Sequence, residues 1–161
     1  MSTLPVYLSF GLDLFGSSSN TCLPDIYATE EKSAGRASIR TASEQRRLDK
    51  IDAILAVPAR YREANWDGEG APPIPESAIH EARKFLEKLP AATPLPEAIL
   101  EPDGYLGLEW YANKSLLYVV SFDGKGALSC SGLIGPERVY GTRYMDNGIP
   151  AEILHHIASV V

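Results

Sequence analysis

The sequence predicts an α+β fold in which two helices precede an antiparallel meander of four to five strands and one helix follows it. Residues 43–55 and 75–89 repeat apolar residues every three or four positions, as amphipathic helices do. From residue 98 onward the period falls towards two, and short hydrophobic runs alternate with turn dipeptides. Because consecutive strands joined by tight turns pair antiparallel, these runs indicate a meander.

The chain divides into a leading segment and one domain. Its 161 residues, 45% hydrophobic and 22% charged, suffice for one substantial core, which we assign to residues 41–161 as a single α+β domain. Residues 6–15 are apolar and partly alternating, as in an edge strand or a docked extended arm. Residues 16–40 are rich in small and polar residues. We therefore expect residues 1–40 to be flexible or loosely docked.

Capping residues and prolines mark the limits of the predicted helices. Thr41 or Ser43 can cap the first helix, with Glu44 in its first turn. Pro58 either ends it or starts a second turn of helix through Tyr61, Arg62 and Ala64. The second helix starts at Pro75, a residue favoured at a first helical position. The predicted buried stripes are Leu48, Ile51 and Leu55 in the first helix, Ile79, Ala82, Leu86 and Leu89 in the second, and Ile153, Leu154 and Ile157 in the terminal helix.

Turn sequences separate the predicted strands. The turns are Asp103-Gly104, Ala112-Asn113-Lys114, Asp123-Gly124-Lys125-Gly126 and Gly135-Pro136. The strands are residues 98–101, 105–111, 115–122, 127–133 and 138–142. Leu106, Leu108 and Trp110 share one face of the second strand. The third strand is apolar on both faces, so we place it at the centre of the sheet, with both faces at least partly covered.

Charge and composition limit the partners. The formal net charge is −6, and residues 91–161 carry eight acidic and four basic residues. A protein that binds nucleic acid by neutralising phosphates needs a basic surface, so nucleic acid is excluded. No stretch approaches the ~20 apolar residues of a membrane span, and the first residues lack the basic start of a secretory leader. The distant Cys22 and Cys130 form no CxxC pair, which favours reduced thiols in a cytoplasmic protein.

No catalytic residue, metal site or cofactor is predicted. The serines beside Cys130 form no nucleophile elbow. His80 lacks the second histidine of H-E-x-x-H, and the adjacent His155 and His156 point to different sides of a helix, a poor geometry for chelation. Pairing of Cys130 with a histidine brought near by folding stays an alternative. A cysteine in a strand is more often a small apolar residue.

The first candidate binding site is the loop of residues 65–75. Trp66 is its aromatic anchor, which we expect to be buried, while Asp67 and Glu69 offer hard oxygen atoms among glycines and prolines that stiffen the loop. The carboxylate spacing of an EF-hand and the lysine of a phosphate-binding loop are both missing. The loop is therefore a rigid, shaped element with two carboxylates.

The second candidate is the strand surface around Glu109, Trp110 and Tyr111. Aromatic residues on a sheet can stack nucleobases, but binders of single strands interleave them with Lys or Arg. Here the interleaved charge is Glu109. Packing under a helix, or a face that binds protein, is the better interpretation.

Several short segments follow one another along the chain in a defined order. They are Asn65-Trp66-Asp67-Gly68-Glu69-Gly70-Ala71, a predicted helix, Gly104-Tyr105-Leu106-Gly107-Leu108-Glu109-Trp110, Gly132-Leu133, Gly141-Thr142, and Ile149-Pro150 with a terminal helix. This order resembles a group of small uncharacterised bacterial proteins with a W-D-G-x-G-A signature. The similarity covers residues 43–161. It implies that the loop and the strand belong to one module, and it implies no activity, cofactor or catalytic residue.

Two functions fit these patterns. We expect a non-enzymatic protein-interaction or regulatory module, antitoxin-like, because catalytic motifs are missing, the second half is acidic and the leading segment could fold on a partner. The alternative is a ligand- or metal-binding domain or an enzyme with its pocket under the Trp66 loop. That site would use Asp67 or Glu69 with Glu109 as a carboxylate pair.

Overall fold

A computed structural model of the protein describes residues 41–161, so the prediction for residues 1–40 lies outside the described residues. In chain order the elements are α1 (Ala42–Ile54), a 3₁₀ turn (Ala59–Arg62), α2 (Glu76–Lys88), β1 (Glu97–Leu100), β2 (Leu106–Asn113), β3 (Leu116–Phe122), β4 (Ala127–Ile134), β5 (Glu137–Tyr144) and α3 (Ala151–Val160). The predicted fold class is confirmed: two helices precede a five-stranded antiparallel sheet, and one helix follows it.

The start of α1 is a capping box. The backbone N–H of Glu44 donates to Oγ1 of Thr41 at 3.2 Å, and the backbone N–H of Thr41 donates to Oε2 of Glu44 at 2.7 Å. Of the two predicted caps, Thr41 is therefore the one that is used. This exchange satisfies two backbone donors that a helix start would otherwise leave unpaired.

The sheet is a meander with strand order β1-β2-β3-β4-β5, so β3 is central, as predicted. Its register places Leu108 of β2 opposite Val120 of β3, and Val120 opposite Cys130 of β4. Residues directly opposite in an antiparallel pair share a face. These three side chains are buried and mark the face on which the helices pack.

The core lies between this face and the helices. Phe85 of α2 is fully buried and contacts the rings of Phe122, at 5.5 Å between centroids, and of Trp110, at 6.4 Å. α3 packs on the same face of the sheet and contributes Ile153 and Ile157 to the same cluster. α1 packs against α2, where Arg83 pairs with Asp52. None of the three helices is long and apolar enough to cross a membrane, over the part of the chain described.

Two glycine turns bring the loop and α2 onto one end of the sheet. Gly104, in the β1–β2 turn, and Gly124, in the β3–β4 turn, have φ of 87° and 76°. A Cβ atom at Gly104 would lie 2.8 Å from Cγ of Pro72, and one at Gly124 would lie 2.9 Å from the backbone nitrogen of Ala78. A side chain at either position would therefore collide with the preceding segment.

Candidate functional site

The loop of residues 65–75 is held together by its own side chains. Oδ1 of Asp67 accepts hydrogen bonds from the backbone N–H groups of Glu69, at 2.8 Å, and Ala71, at 3.0 Å. Oδ1 of Asn65, whose φ is 62°, accepts from the N–H of Gly70 at 2.8 Å. The hydrogen bonds from Ala71 and Glu69 lower the pKa of the Asp67 carboxyl. Asp67 therefore serves as an ionised acceptor that closes the loop.

Trp66 differs from the expectation, because its ring is only partly buried. Its edge meets the ring of Tyr61 at 4.8 Å between centroids, and its Nε1 donates to the carbonyl of Pro72 at 2.9 Å. The residues of the loop that enter the interior are Ala71 and Ile74. The loop turns before these two residues, so that they, and not the indole, face the core. Trp66 braces the loop from the surface side.

Among residues 41–161, no hydrogen bond or ion pair joins the loop's carboxylates to Glu109. Glu69 is exposed, and Oδ1 of Asp67 is occupied by the loop backbone. The loop meets the sheet at Gly104, whereas Glu109 lies five residues further on, about 16 Å along an extended chain. Across residues 41–161, no three His, Cys, Asp or Glu side chains are placed to hold a metal ion.

Glu109 instead faces Glu97. The two residues are directly opposite in the β1–β2 register, so their side chains lie on the same face of the sheet. Within residues 41–161, neither carboxylate has a hydrogen bond or ion pair. Tyr111, two residues beyond Glu109, is 59% exposed on that face. Trp110 points the other way: it is 2% exposed, and its Nε1 donates to the carbonyl of Pro94 at 2.9 Å.

The sheet face that carries Glu109 is the surface we call the open face. Its central strand is apolar on this side, where Leu117 is partly buried and Val119, 8% exposed, is buried. Neither residue belongs to the core cluster formed with the described helices. The open face comprises Glu97 and Ile99 on β1, Gly107, Glu109 and Tyr111 on β2, Leu117, Val119 and Ser121 on β3, Ala127, Ser129, Ser131 and Leu133 on β4, and Arg138, Tyr140, Thr142 and Tyr144 on β5.

A groove of about 290 Å³ borders the acidic end of this surface. Its walls combine the two carboxylates of Glu97 and Glu109 with the ring of Tyr111. Pro94, Leu95, Trp110 and the terminal Val161 complete the lining. The groove therefore offers negative charge beside apolar and aromatic surface.

Sequence reasoning did not find a second cavity, of about 260 Å³, between β5 and α3. Tyr118, Cys130 and His156 line it together with an ion pair of Arg143 and Glu152. Burial raises the pKa of the Cys130 thiol and that of the Tyr118 hydroxyl. Nδ1 of His156 is buried without a hydrogen-bond partner among the described residues. The one sequence signal was strand alternation, which places Tyr118 on the same side of β3 as Val120, and Cys130 on the same side of β4 as Leu128.

This cavity brings Cys130 and a histidine to one place, as the alternative from the sequence required. His156 stacks obliquely on Tyr118, at 5.2 Å between ring centroids. A cysteine nucleophile needs a lowered pKa, because the thiolate is the reactive form. The raised pKa of Cys130 keeps its thiol protonated, so the arrangement does not favour nucleophilic catalysis.

Comparisons of this chain with models of protein families, with curated proteins and with solved structures found no match. The resemblance to proteins with a W-D-G-x-G-A signature therefore stays a prediction.

Proposed function

We propose that residues 41–161 form a non-enzymatic module that binds another protein on the open face of the sheet, as a regulatory, antitoxin-like subunit would. The observation that carries this proposal is the one-sided packing of the sheet. The core cluster joins the described helices to a single face, while the other face presents the half-exposed ring of Tyr111. We place this binding in the cytoplasm, because we interpret the two distant cysteines as reduced thiols.

The composition of the open face supports binding to protein. The partly exposed Leu117 and the ring of Tyr111 give this face accessible apolar area, bordered by the exposed Ser129 and Ser131. Protein interfaces have this arrangement of an apolar core within a polar rim, and they are enriched in tyrosine. A tyrosine ring buries a large apolar area while its hydroxyl keeps a hydrogen bond.

The pair of Glu97 and Glu109 indicates the chemistry of the partner. Like charges directly opposite on neighbouring strands destabilise a sheet, and no described cation offsets this pair. An arginine or lysine from a partner would neutralise both carboxylates and could lay its apolar stem on Tyr111. The surplus of acidic residues over residues 91–161 would steer such a basic partner towards this side.

A second candidate function is binding of a small ligand in the cavity beside Cys130. The observation that favours it is the unpartnered Nδ1 of His156, since a buried polar atom needs a water or a ligand as partner. The originally expected carboxylate pair of Asp67 or Glu69 with Glu109 has no comparable support, because the loop backbone already uses Asp67.

The test is capture of the partner by tagged full-length protein from its host, followed by titration with the purified partner. Glu109→Lys and Tyr111→Ala should each weaken binding by at least about tenfold, as expected for anchor residues. Binding of the wild type should also weaken as salt rises, because a charge pair contributes.

The matched control is Glu63→Lys, which makes the same charge reversal at an exposed residue outside the sheet. It should bind like the wild type. If Glu109→Lys and Glu63→Lys bind the partner equally well, the open face is not the binding surface and this proposal fails. Circular dichroism confirms that each variant is folded.

A further inference from the structure

The outer edge of β5 has no strand partner among residues 41–161. β5 is the last strand of the sheet, and α3, which follows it, packs mainly on β2, β3 and β4. All eight residues of β5 pair with β4 in an unbroken register, from Glu137 opposite Ile134 to Tyr144 opposite Ala127. The backbone N–H and C=O groups on the other side of β5 therefore form a regular template for another strand.

The opposite edge of the sheet is protected in ways that β5 is not. β1 has only four residues and prolines on both sides, Pro96 and Pro102, whereas β5 has a proline, Pro136, only before its first residue. Short edge strands and prolines are devices by which proteins prevent strands from adding to a sheet. β5 is twice as long and contains neither a proline nor a bulge. This contrast indicates that the β5 edge is used for pairing.

We propose that two copies of this chain pair along β5, antiparallel about a two-fold axis at Tyr140, and so form one continuous ten-stranded sheet. The register follows from the sequence of the strand. It places Tyr140 opposite Tyr140 of the second copy. It also places Glu137 of each copy opposite Arg143 of the other, so that this pair occurs twice in the dimer.

The charges of β5 are self-complementary in this register. Glu137 and Arg143 are an even number of residues apart, so both lie on the helix side of the strand. Glu152 holds the guanidinium of Arg143 there, through hydrogen bonds of 2.8 and 2.6 Å. Glu137 is exposed and has no ion pair in the described structure. Each dimer would gain two opposite-charge cross-strand pairs, whereas most other registers would gain none.

Tyr140 is the aromatic residue that the second copy would cover. It is 85% exposed, more than the other exposed large hydrophobic residues of the described chain. An aromatic pair across neighbouring strands stabilises the pairing, and the ring loses contact with water. Because two paired strands bury less area than a standard interface, the dimer is reversible and dissociates on dilution.

This inference does not depend on the partner protein. Pairing along β5 joins the open faces of two copies into one surface but leaves Glu109 and Tyr111 three strands away, about 14 Å, and Glu97 four strands away, about 19 Å. Failure of the dimer would leave the proposed function standing, and failure of the proposed function would leave the dimer standing.

Disulfide formation between engineered cysteines tests both the pairing and its register. In a full-length Cys22→Ser background, Tyr140→Cys should form a covalent dimer on mild oxidation, because residues directly opposite have Cβ atoms about 4.5–5.5 Å apart. Arg138→Cys and Thr142→Cys should each stay monomeric alone but cross-link when mixed, since the register pairs position 138 with position 142. Cross-linking of Thr142→Cys alone would overturn the register.

Sedimentation velocity of the unmodified full-length chain over a wide concentration range provides the second measurement. The wild type should shift from the mass of one chain to that of two, and Tyr140→Lys should stay monomeric because two lysines would face each other. The control Tyr111→Lys makes the same change at an exposed tyrosine outside the β5 edge and should dimerise normally. A mass of one chain at every concentration, with no cross-linking of Tyr140→Cys, would overturn the proposal. So would slow exchange of the β5 edge amides in a monomer, because another segment would then cover them.

Discussion

Arg143 and Glu152 form a two-point ion pair that ties the last strand to the last helix. Nε of Arg143 donates to Oε2 of Glu152 at 2.8 Å, and Nη2 donates to Oε1 at 2.6 Å. Glu152 lies in the first turn of α3, where the helix dipole also favours a negative charge. The hydrogen bonds from Arg143 lower the pKa of the Glu152 carboxyl. The same pair helps to close the cavity beside Cys130.

This ion pair predicts a specific response to acid. A carboxyl whose pKa is lowered by folding contributes stability above its unfolded pKa, here its ordinary value of 4.5, and loses that contribution as the pH falls through the lower folded value. Glu152→Gln should therefore lower the melting temperature at neutral pH and make it less sensitive to acidification below about pH 5. Thermal unfolding followed by circular dichroism at a series of pH values measures this. The control Glu63→Gln should show the same dependence of melting temperature on pH as the wild type. If the melting temperature of Glu152→Gln fell with acid as steeply as that of the wild type, the prediction would be contradicted.

The second prediction ranks two residues of the Trp66 loop. Ile74→Ala should reduce the free energy of unfolding by about 2 to 5 kcal/mol, because it leaves a cavity at a side chain that is almost fully buried. Trp66→Ala should cost only about 1 to 2 kcal/mol, since it removes one hydrogen bond and one ring contact at a partly exposed site. Urea unfolding gives both values. The opposite ranking would mean that the indole, as first expected from the sequence, holds the loop in place.

Two glycines of the β3–β4 turn provide the third prediction. Gly124 and Gly126 both have positive φ, so alanine is strained at either position by about 1 to 3 kcal/mol. At Gly124 the new Cβ atom would also collide with the start of α2, whereas at Gly126 it would meet no atom within 4 Å. Gly124→Ala should therefore destabilise the protein more than Gly126→Ala does. Equal midpoints in urea would show that α2 does not rest on this turn.

The fourth prediction concerns the reactivity of Cys130. Its thiol is buried and has a raised pKa, so little thiolate is present and access is poor. In a Cys22→Ser background, a thiol reagent at about pH 8 should label Cys130 at least roughly 100-fold more slowly in the folded protein than in urea. Rapid labelling of the folded protein would indicate an activated cysteine and would support Cys130 as a nucleophile paired with His156.

Much of the fold could be predicted because its signals are local. The Thr41 capping box, the Asp103-Gly104 and Asp123-Gly124 turns and the two periodicities each depend on residues within a few positions of one another. Such signals fix where elements begin and end, and short turns make neighbouring strands pair. The elements that were predicted agree with the structure to within a few residues.

The candidate site was harder to predict, because it depends on contacts between distant residues. The partner of Glu109 on its face is Glu97, which precedes it by twelve residues and is set by the β1–β2 register. Trp66 was expected to be a buried anchor because large aromatic residues usually bury much of their surface. In the structure, Ala71 and Ile74 are the loop residues whose side chains are buried in the core. The cavity beside Cys130 exists only where α3 crosses the sheet.

By itself, the sequence determined the order of the elements, the antiparallel meander and the central position of β3. Only the tertiary structure decided which face of the sheet the helices cover, because β3 is apolar on both sides and its alternation distinguishes neither. That decision left Tyr111 exposed and Glu109 partly exposed, and it buried Trp110, which lies between them in sequence. The physical reason is that neighbouring residues of a strand point to opposite faces, while burial depends on what packs against each face.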